Sequence, residues 1–435
     1  MLAFPSAGTN AGAMPRMPQI RQLPTVDPML VRSRAAAVLG AVLLGMAAIA
    51  FADFGELAQE IFQHSIARYK WAPLLVTPLG FMLVAWMTRR WMPAARGSGI
   101  PQVMAASRNP ASEHAAKLLS PRVALAKTGG TLAMLLTGGS VGREGPTVQI
   151  SAAIMLHVHR VLRVPVTSGV VIAGGAAGVA AAFNTPLAGV AFAIEELASA
   201  FEQRVAMLVM VAVMVAGLVS LSLAGDYVYF GATSRQLPVS TILMVAPLAG
   251  IIGGVLGGLF ARMLVAAGQR SGGFADMLRA RPVVTAGVCG LIVAGVGIAT
   301  GVTWGTGYDT TRALLAGETA PMSFGPAKFV ANLATALSGA PGGIFAPSLS
   351  VGAGLGQLLS LLFPASPSGA IVLLGMIGYF AGVVRAPLTA VILMAEMTAD
   401  RSMILPLFVT ALIADYVSAS ICRPKLYHAL ARQFR

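Results

Sequence analysis

The sequence predicts an all-α polytopic membrane protein, an inverted internal repeat with tilted and broken, re-entrant helices. Three observations carry that prediction: very few charges, long apolar runs, and glycine–proline motifs recurring at a constant offset. Of 435 residues, 56% are apolar and 11% charged, with a mean hydropathy of +0.78; soluble domains carry about 25% charged residues. Runs such as 36–51 and 205–224 are unbroken, whereas a membrane barrel would alternate apolar and polar positions in segments of about ten residues.

Taken in order, residues 1–34 are rich in Pro, Gly, Ala and Ser, carry Arg16, Arg21, Arg32 and Arg34, and lack the compact pattern of a signal peptide. They read as a flexible cytoplasmic tail. Further basic clusters at Arg89/Arg90/Arg96, Arg262–Arg281 and Arg423–Arg435 mark the cytoplasmic side. The formal charge of +14 therefore reads as orientation, not as nucleic-acid binding. A first membrane repeat, 35–225, crosses outward over 36–53, passes an outer loop 54–71 in which Glu56 and Glu60 balance Arg68 and Lys70, and returns over 72–88. An external linker, 226–239, leads to a second repeat, 240–421, which enters with the opposite sense: inward over 240–261, outward over 282–303. Residues 422–435 form a cytoplasmic C-terminal segment bearing Tyr427.

The repeat shows in residues as well as in topology. Pro186-Leu187 with an apolar run to Glu195 matches Pro387-Leu388 with an apolar run to Glu396, and Pro146 matches Pro347, each 201 residues apart. Inverted repeats place a substrate site near the midplane, between broken helices whose ends face the ligand. Three segments suit that role: Gly97–Pro101, Gly138–Pro146 and Gly339–Pro347. Glycine lets the backbone turn, proline fits the first helical turn, and the free N–H groups there form an anion site. Neither phosphate-loop nor dinucleotide spacing is met. Cys289 and Cys422 read as inert packing residues, and the five histidines, His157 and His159 among them, form no zinc pattern and receive no role.

The motifs GSGIP at 97–101, GREGP at 142–146 and GGIFAP at 342–347, joined by AAAFNTPLAG at 180–189 ending in Glu195-Glu196, resemble the CLC family of chloride channels and chloride/proton antiporters. The resemblance runs from about residue 35 to Tyr427. It implies a homodimer with one anion pathway per subunit, embedded in lipid in the cell inner membrane, both termini cytoplasmic. It also implies a compact prokaryotic form without regulatory domains after Tyr427. Position by position it implies that Ser98 and Tyr427 face a central chloride with neutral hydroxyls, and that the amides of Ile344 and Phe345 complete the site. Gly142, Arg143 and Gly145 belong to the anion-binding motif, and Glu144 becomes the external gate. Glu196 matches the inner proton glutamate, which antiporters of the family typically keep and passive channels typically lack. Lys127 matches a buried lysine that either raises the potential along the path or snorkels to an interface.

Ser98 stands where nitrate-preferring members carry proline, and the motifs of the fluoride-exporting branch are absent, so the expected substrates are chloride and protons, with bromide and nitrate also passing. The expected function is secondary active chloride/proton antiport, with no cofactor, no metal and no enzymatic reaction; the alternative is a passive gated chloride channel on the same scaffold. An intramembrane protease would need a catalytic dyad or metal motif that the apolar segments do not offer. Glu195 and Glu396, equivalent in the two repeats, read as groups that satisfy helix ends.

Overall fold

The computed structural model describes residues 28–197, 203–225, 227–231, 237–268, 276 and 280–434. The expected tail as far as residue 27, and residues 226 and 232–236 of the expected linker, lie outside these. Among the described residues the chain is helical throughout, its one β feature an isolated antiparallel bridge between Gly142 and Gly343. Five helices are long and apolar enough to cross a membrane: Val31–Arg68, Val205–Ala224, Val239–Gly268, Pro282–Thr300 and Ile404–Ile421.

The first helix corrects two expectations. It is continuous over Pro28–Arg68, so it takes in the last residues of the expected tail and most of the expected outer loop. Phe51, Gly55, Ala58 and Phe62 are buried at helical spacing while Asp53, Glu56 and Glu60 stay exposed. The balanced charges of this stretch lie on one face of an unbroken helix; they mark an aqueous surface rather than a change of conformation.

At the centre stand two shorter apolar helices, Ser168–Phe183 and Ser368–Val384, the second buried at every position from Gly369 onward. At about 1.5 Å per residue they span only about 25 Å, less than a bilayer core of about 30 Å, and the longer helices enclose them. The helix Val239–Gly268 reaches Ser368–Val384 through glycine: a Cβ on Gly253 would sit 2.2 Å from the carbonyl carbon of Gly378, and one on Gly257 2.5 Å from that of Gly382. Such backbone-to-backbone approach is how membrane helices associate without a hydrophobic driving force. Both central helices end in a left-handed residue, Asn184 and Arg385, just before a proline-led helix. Arg385 is held there by its guanidinium, which donates to Asp415 Oδ1 at 3.0 Å and to the carbonyls of Cys422 and Arg423.

Residues 201 apart occupy equivalent places in the two repeats, and the repeats meet through them. Gly142 and Gly343 exchange two N–H···O bonds of 2.8 Å, which places a local two-fold axis between the repeats. The carboxylate of Glu195 accepts from the amides of Leu388 and Thr389 at 3.1 and 2.7 Å, and that of Glu396 from the amides of Leu187 and Ala188 at 3.0 and 2.7 Å. Each repeat thus caps a helix of the other, as expected of two acids at equivalent places.

Candidate anion and proton site

The three glycine–proline segments do start helices, at Ile100, Glu144 and Phe345, and tertiary packing brings those starts together. Gly99 adopts φ 110°, open to glycine alone, and a Cβ there would lie 2.6 Å from the Gly145 carbonyl oxygen. A Cβ on Gly145 would lie 2.4 Å from Ser98 Oγ, and the Gly342 amide donates to the Gly97 carbonyl at 3.1 Å. The first N–H groups of a helix have no intrahelical acceptor, so three sets of such donors surround one small volume.

Ser98 and Tyr427 are buried, and their hydroxyls face each other with no hydrogen bond of good geometry to any other group. Tyr427 arrives on the short helix Leu426–Ala431, its ring 6.1 Å from that of Phe345. Both line a cavity of about 600 Å³ together with Arg89, Arg96, Gly343 and Ile344. A second cavity, about 460 Å³, is lined by Arg143, Tyr229, Tyr308 and the acids Asp53, Glu56, Glu60 and Asp309. Glu144 lines neither. It is 2% exposed, its Oε2 lacks a partner, and its carboxylate is turned toward the amides of Arg143, Ala346 and its own residue. Oε2 packs so closely on Gly142 that a Cβ there would lie 2.2 Å away.

Two members of the expected anion-binding motif are otherwise engaged. The amide of Gly142 donates to Gly343, so it is not free for an anion. The guanidinium of Arg143 turns outward, donating to the Ala52 carbonyl and pairing with Glu56 at 3.0 Å. Glu56, read from sequence only as a loop charge, therefore helps to fix Arg143, which acts on Glu144 by its field without forming an ion pair with it.

Lys127 neither snorkels nor faces a cavity. Its side chain is wholly buried and Nζ donates to the carbonyls of Gly97 and Arg96 at 2.7 and 3.3 Å. Gln102 and Gln149 donate to Ala94, and Gln102 also to Arg96, so three side chains fix the turn that carries Ser98. Lys328, missed in the sequence, does the same in the other repeat: fully buried, it donates to Thr303 and Gly305 at 2.9 and 2.8 Å. The signal was available, since 328 lies 201 beyond 127. Lys328→Met removes the donor to two buried carbonyls at about 1–3 kcal/mol each, partly offset by removal of a buried charge, whereas after Lys127→Met the Gly97 carbonyl keeps the Gly342 amide and the Arg96 carbonyl keeps Gln102. Lys328→Met should lose about 2 kcal/mol in thermal unfolding and Lys127→Met less, but only Lys127→Met should also slow chloride flux from liposomes, by about tenfold. Equal flux in the two variants would show that the Lys127 contact is structural alone.

Glu196 lies on a π-helical turn, Ala193–Leu197, beside Glu195. Its side chain is fully enclosed and neither oxygen has a hydrogen-bond partner. The adjacent glutamates thus differ completely: one caps a helix, the other is held in reserve.

This arrangement defines a polytopic membrane protein with two polar-lined cavities and a buried carboxylate, Glu144, that lines neither. Residues 80–419 match the voltage gated chloride channel family, and the chain belongs to it. Among its relatives is the H(+)/Cl(-) exchange transporter ClcA of Yersinia pseudotuberculosis serotype IB (strain PB1/+), 32% identical, with 94% of this chain and 89% of that protein covered. The transporter of the same name from Salmonella agona (strain SL483) is 31% identical, with 95% and 91% covered. The fold is similar to that of a slow cyanobacterial Cl-/H+ antiporter, at a TM-score of 0.76 and 24% identity over 94% of this chain and 98% of the other. It is also similar to a CLC-type fluoride/proton antiporter, at 0.78 and 21% over 90% and 96%.

Proposed function

We propose that this protein is a secondary active chloride/proton antiporter. The observation that carries the reading is the buried Glu144 carboxylate among helix amides that would otherwise hold an anion, with Arg143 beside it lining one cavity and Gly343 and Ile344 the other. Chloride enters from the cavity lined by Arg89 and Arg96, on the side that the basic clusters mark as cytoplasmic, meets the hydroxyls of Ser98 and Tyr427 and the amides of Ile344 and Phe345, and advances only when Glu144 has taken a proton or swung aside. Neutral donors hold a halide without trapping it, so bromide and nitrate pass by the same contacts. Glu196 hands protons between the cytoplasm and Glu144 by a separate route. Relatives that carry the exchanger's name over nearly the whole chain support antiport above a passive channel. The same reading places each protomer in a homodimer in the inner membrane, with lipid around it and both termini cytoplasmic.

The test is made in liposomes with a steep chloride gradient and the potential clamped so that protons are driven the other way. Uphill proton movement establishes antiport; chloride flux without it makes this a channel. Glu196→Gln should abolish proton transport while chloride still moves, and intact coupling in that variant would remove Glu196 from the pathway.

A further inference from the structure

A buried carboxylate that exchanges protons with water needs a group that reaches both. Among the described residues, the one basic side chain within 4.0 Å of Glu196 is His428, whose Nδ1 lies 3.4 Å from Oε1. The Glu196 side chain is 0% exposed and that of His428 42%. The imidazole therefore spans from the enclosed carboxylate to the surface. At that separation the two do not yet form a hydrogen bond of good geometry, and neither Nδ1 nor the carboxylate oxygens are hydrogen-bonded elsewhere.

The surroundings leave this pair to itself. The helix Leu426–Ala431 packs on Ile100–Arg108, Val239–Gly268 and Ser368–Val384. The charged residues these bring are Arg108 and Arg262, both exposed, and Arg385 just past the last. Lys425, Arg432 and Arg423 flank the helix itself. None of them forms an ion pair with His428, and Arg385 is committed to Asp415. No carboxylate among the described residues other than Glu196 faces the ring.

We propose that His428 is the proton port of Glu196, an inference that rests on Glu196 being the inner proton relay. Starting from the ring protonated at Nδ1, the other nitrogen takes a proton from cytoplasmic water. The Nδ1–H bond then breaks and an O–H bond forms at Oε1. Imidazolium and carboxylate both become neutral, and rotation or exchange with water returns the ring to its first tautomer. A port that must take a proton from cytoplasmic water before it can pass one on also makes proton uptake depend on cytoplasmic pH.

Proton and chloride fluxes are measured separately in liposomes for the wild type, His428→Gln, His428→Ala and Glu196→Gln, with the pH on the cytoplasmic face varied between about 5 and 8. His428→Gln should slow proton transport by about tenfold or more, flatten its dependence on that pH, and leave chloride flux in place. Added imidazole should restore proton transport to His428→Ala, which a packing role would not allow. Wild-type rates and pH profile in His428→Gln, or a slowed His428→Ala that imidazole does not rescue, with Glu196→Gln inactive in proton transport, overturns the port and leaves the relay standing. Full proton transport in Glu196→Gln overturns both.

Discussion

Glu144→Gln is expected to abolish proton transport and to make chloride flux independent of pH. The side chain keeps its size and its place beside Gly142 but can no longer carry the negative charge that competes with chloride for the amides around it. Proton transport should fall by about 100-fold or more, to the leak of empty liposomes, because a group that cannot ionise cannot deliver a proton. Chloride should still cross, since the hydroxyls of Ser98 and Tyr427 and the helix starts at Glu144 and Phe345 remain. Paired proton and chloride electrodes on one liposome sample check it. Chloride flux that stops, or that stays pH-sensitive, would remove Glu144 from the gate.

The second large effect is on stability. Glu195→Ala and Glu396→Ala each remove two charge-assisted hydrogen bonds to first-turn amides of the opposite repeat, and Glu195→Ala removes a third, from the Thr389 hydroxyl. At about 1.5–3 kcal/mol per bond, the two amide bonds alone should make each substitution cost about 3–6 kcal/mol. The loss should appear as a large fall in melting temperature and in monodispersity in detergent. Gln, which offers one acceptor where the carboxylate offers two, should keep about half of the contribution. Molecules that do fold should exchange protons and chloride at the wild-type ratio, because both carboxylates are occupied by the caps. A changed ratio would bring Glu195 or Glu396 into the proton route.

Much of the fold was legible because glycine and proline act on the backbone directly. Helices start where the motifs at 97–101, 142–146 and 342–347 place them, and the 201-residue offset shows which residues are equivalent across the repeats. What stayed hidden was set by tertiary contact. The charged stretch 54–68 reads as a loop until its buried face is seen to continue the helical period. Lys127 could serve a path or an interface until its ammonium is seen bonded to the Gly97 carbonyl. Glu195 and Glu196 are chemically identical neighbours, and only the fold decides that one meets two amides and the other a histidine. His428 carries no motif at all; its partner lies more than two hundred residues away in sequence.

The exchange of caps between the halves has a consequence for how the chain matures. Inserted first, the helix that begins at Pro186 holds the amides of Leu187 and Ala188 open to lipid, where an unsatisfied donor costs several kcal/mol, until Glu396 is synthesised about two hundred residues later. In a two-chain ancestor the same contact would be isologous, each copy giving the carboxylate that it receives. Fusion into one polypeptide turns that encounter from a bimolecular search in the bilayer into one governed by effective concentration. Covalent continuity between the repeats thereby shortens the time for which polar helix ends stand exposed during assembly.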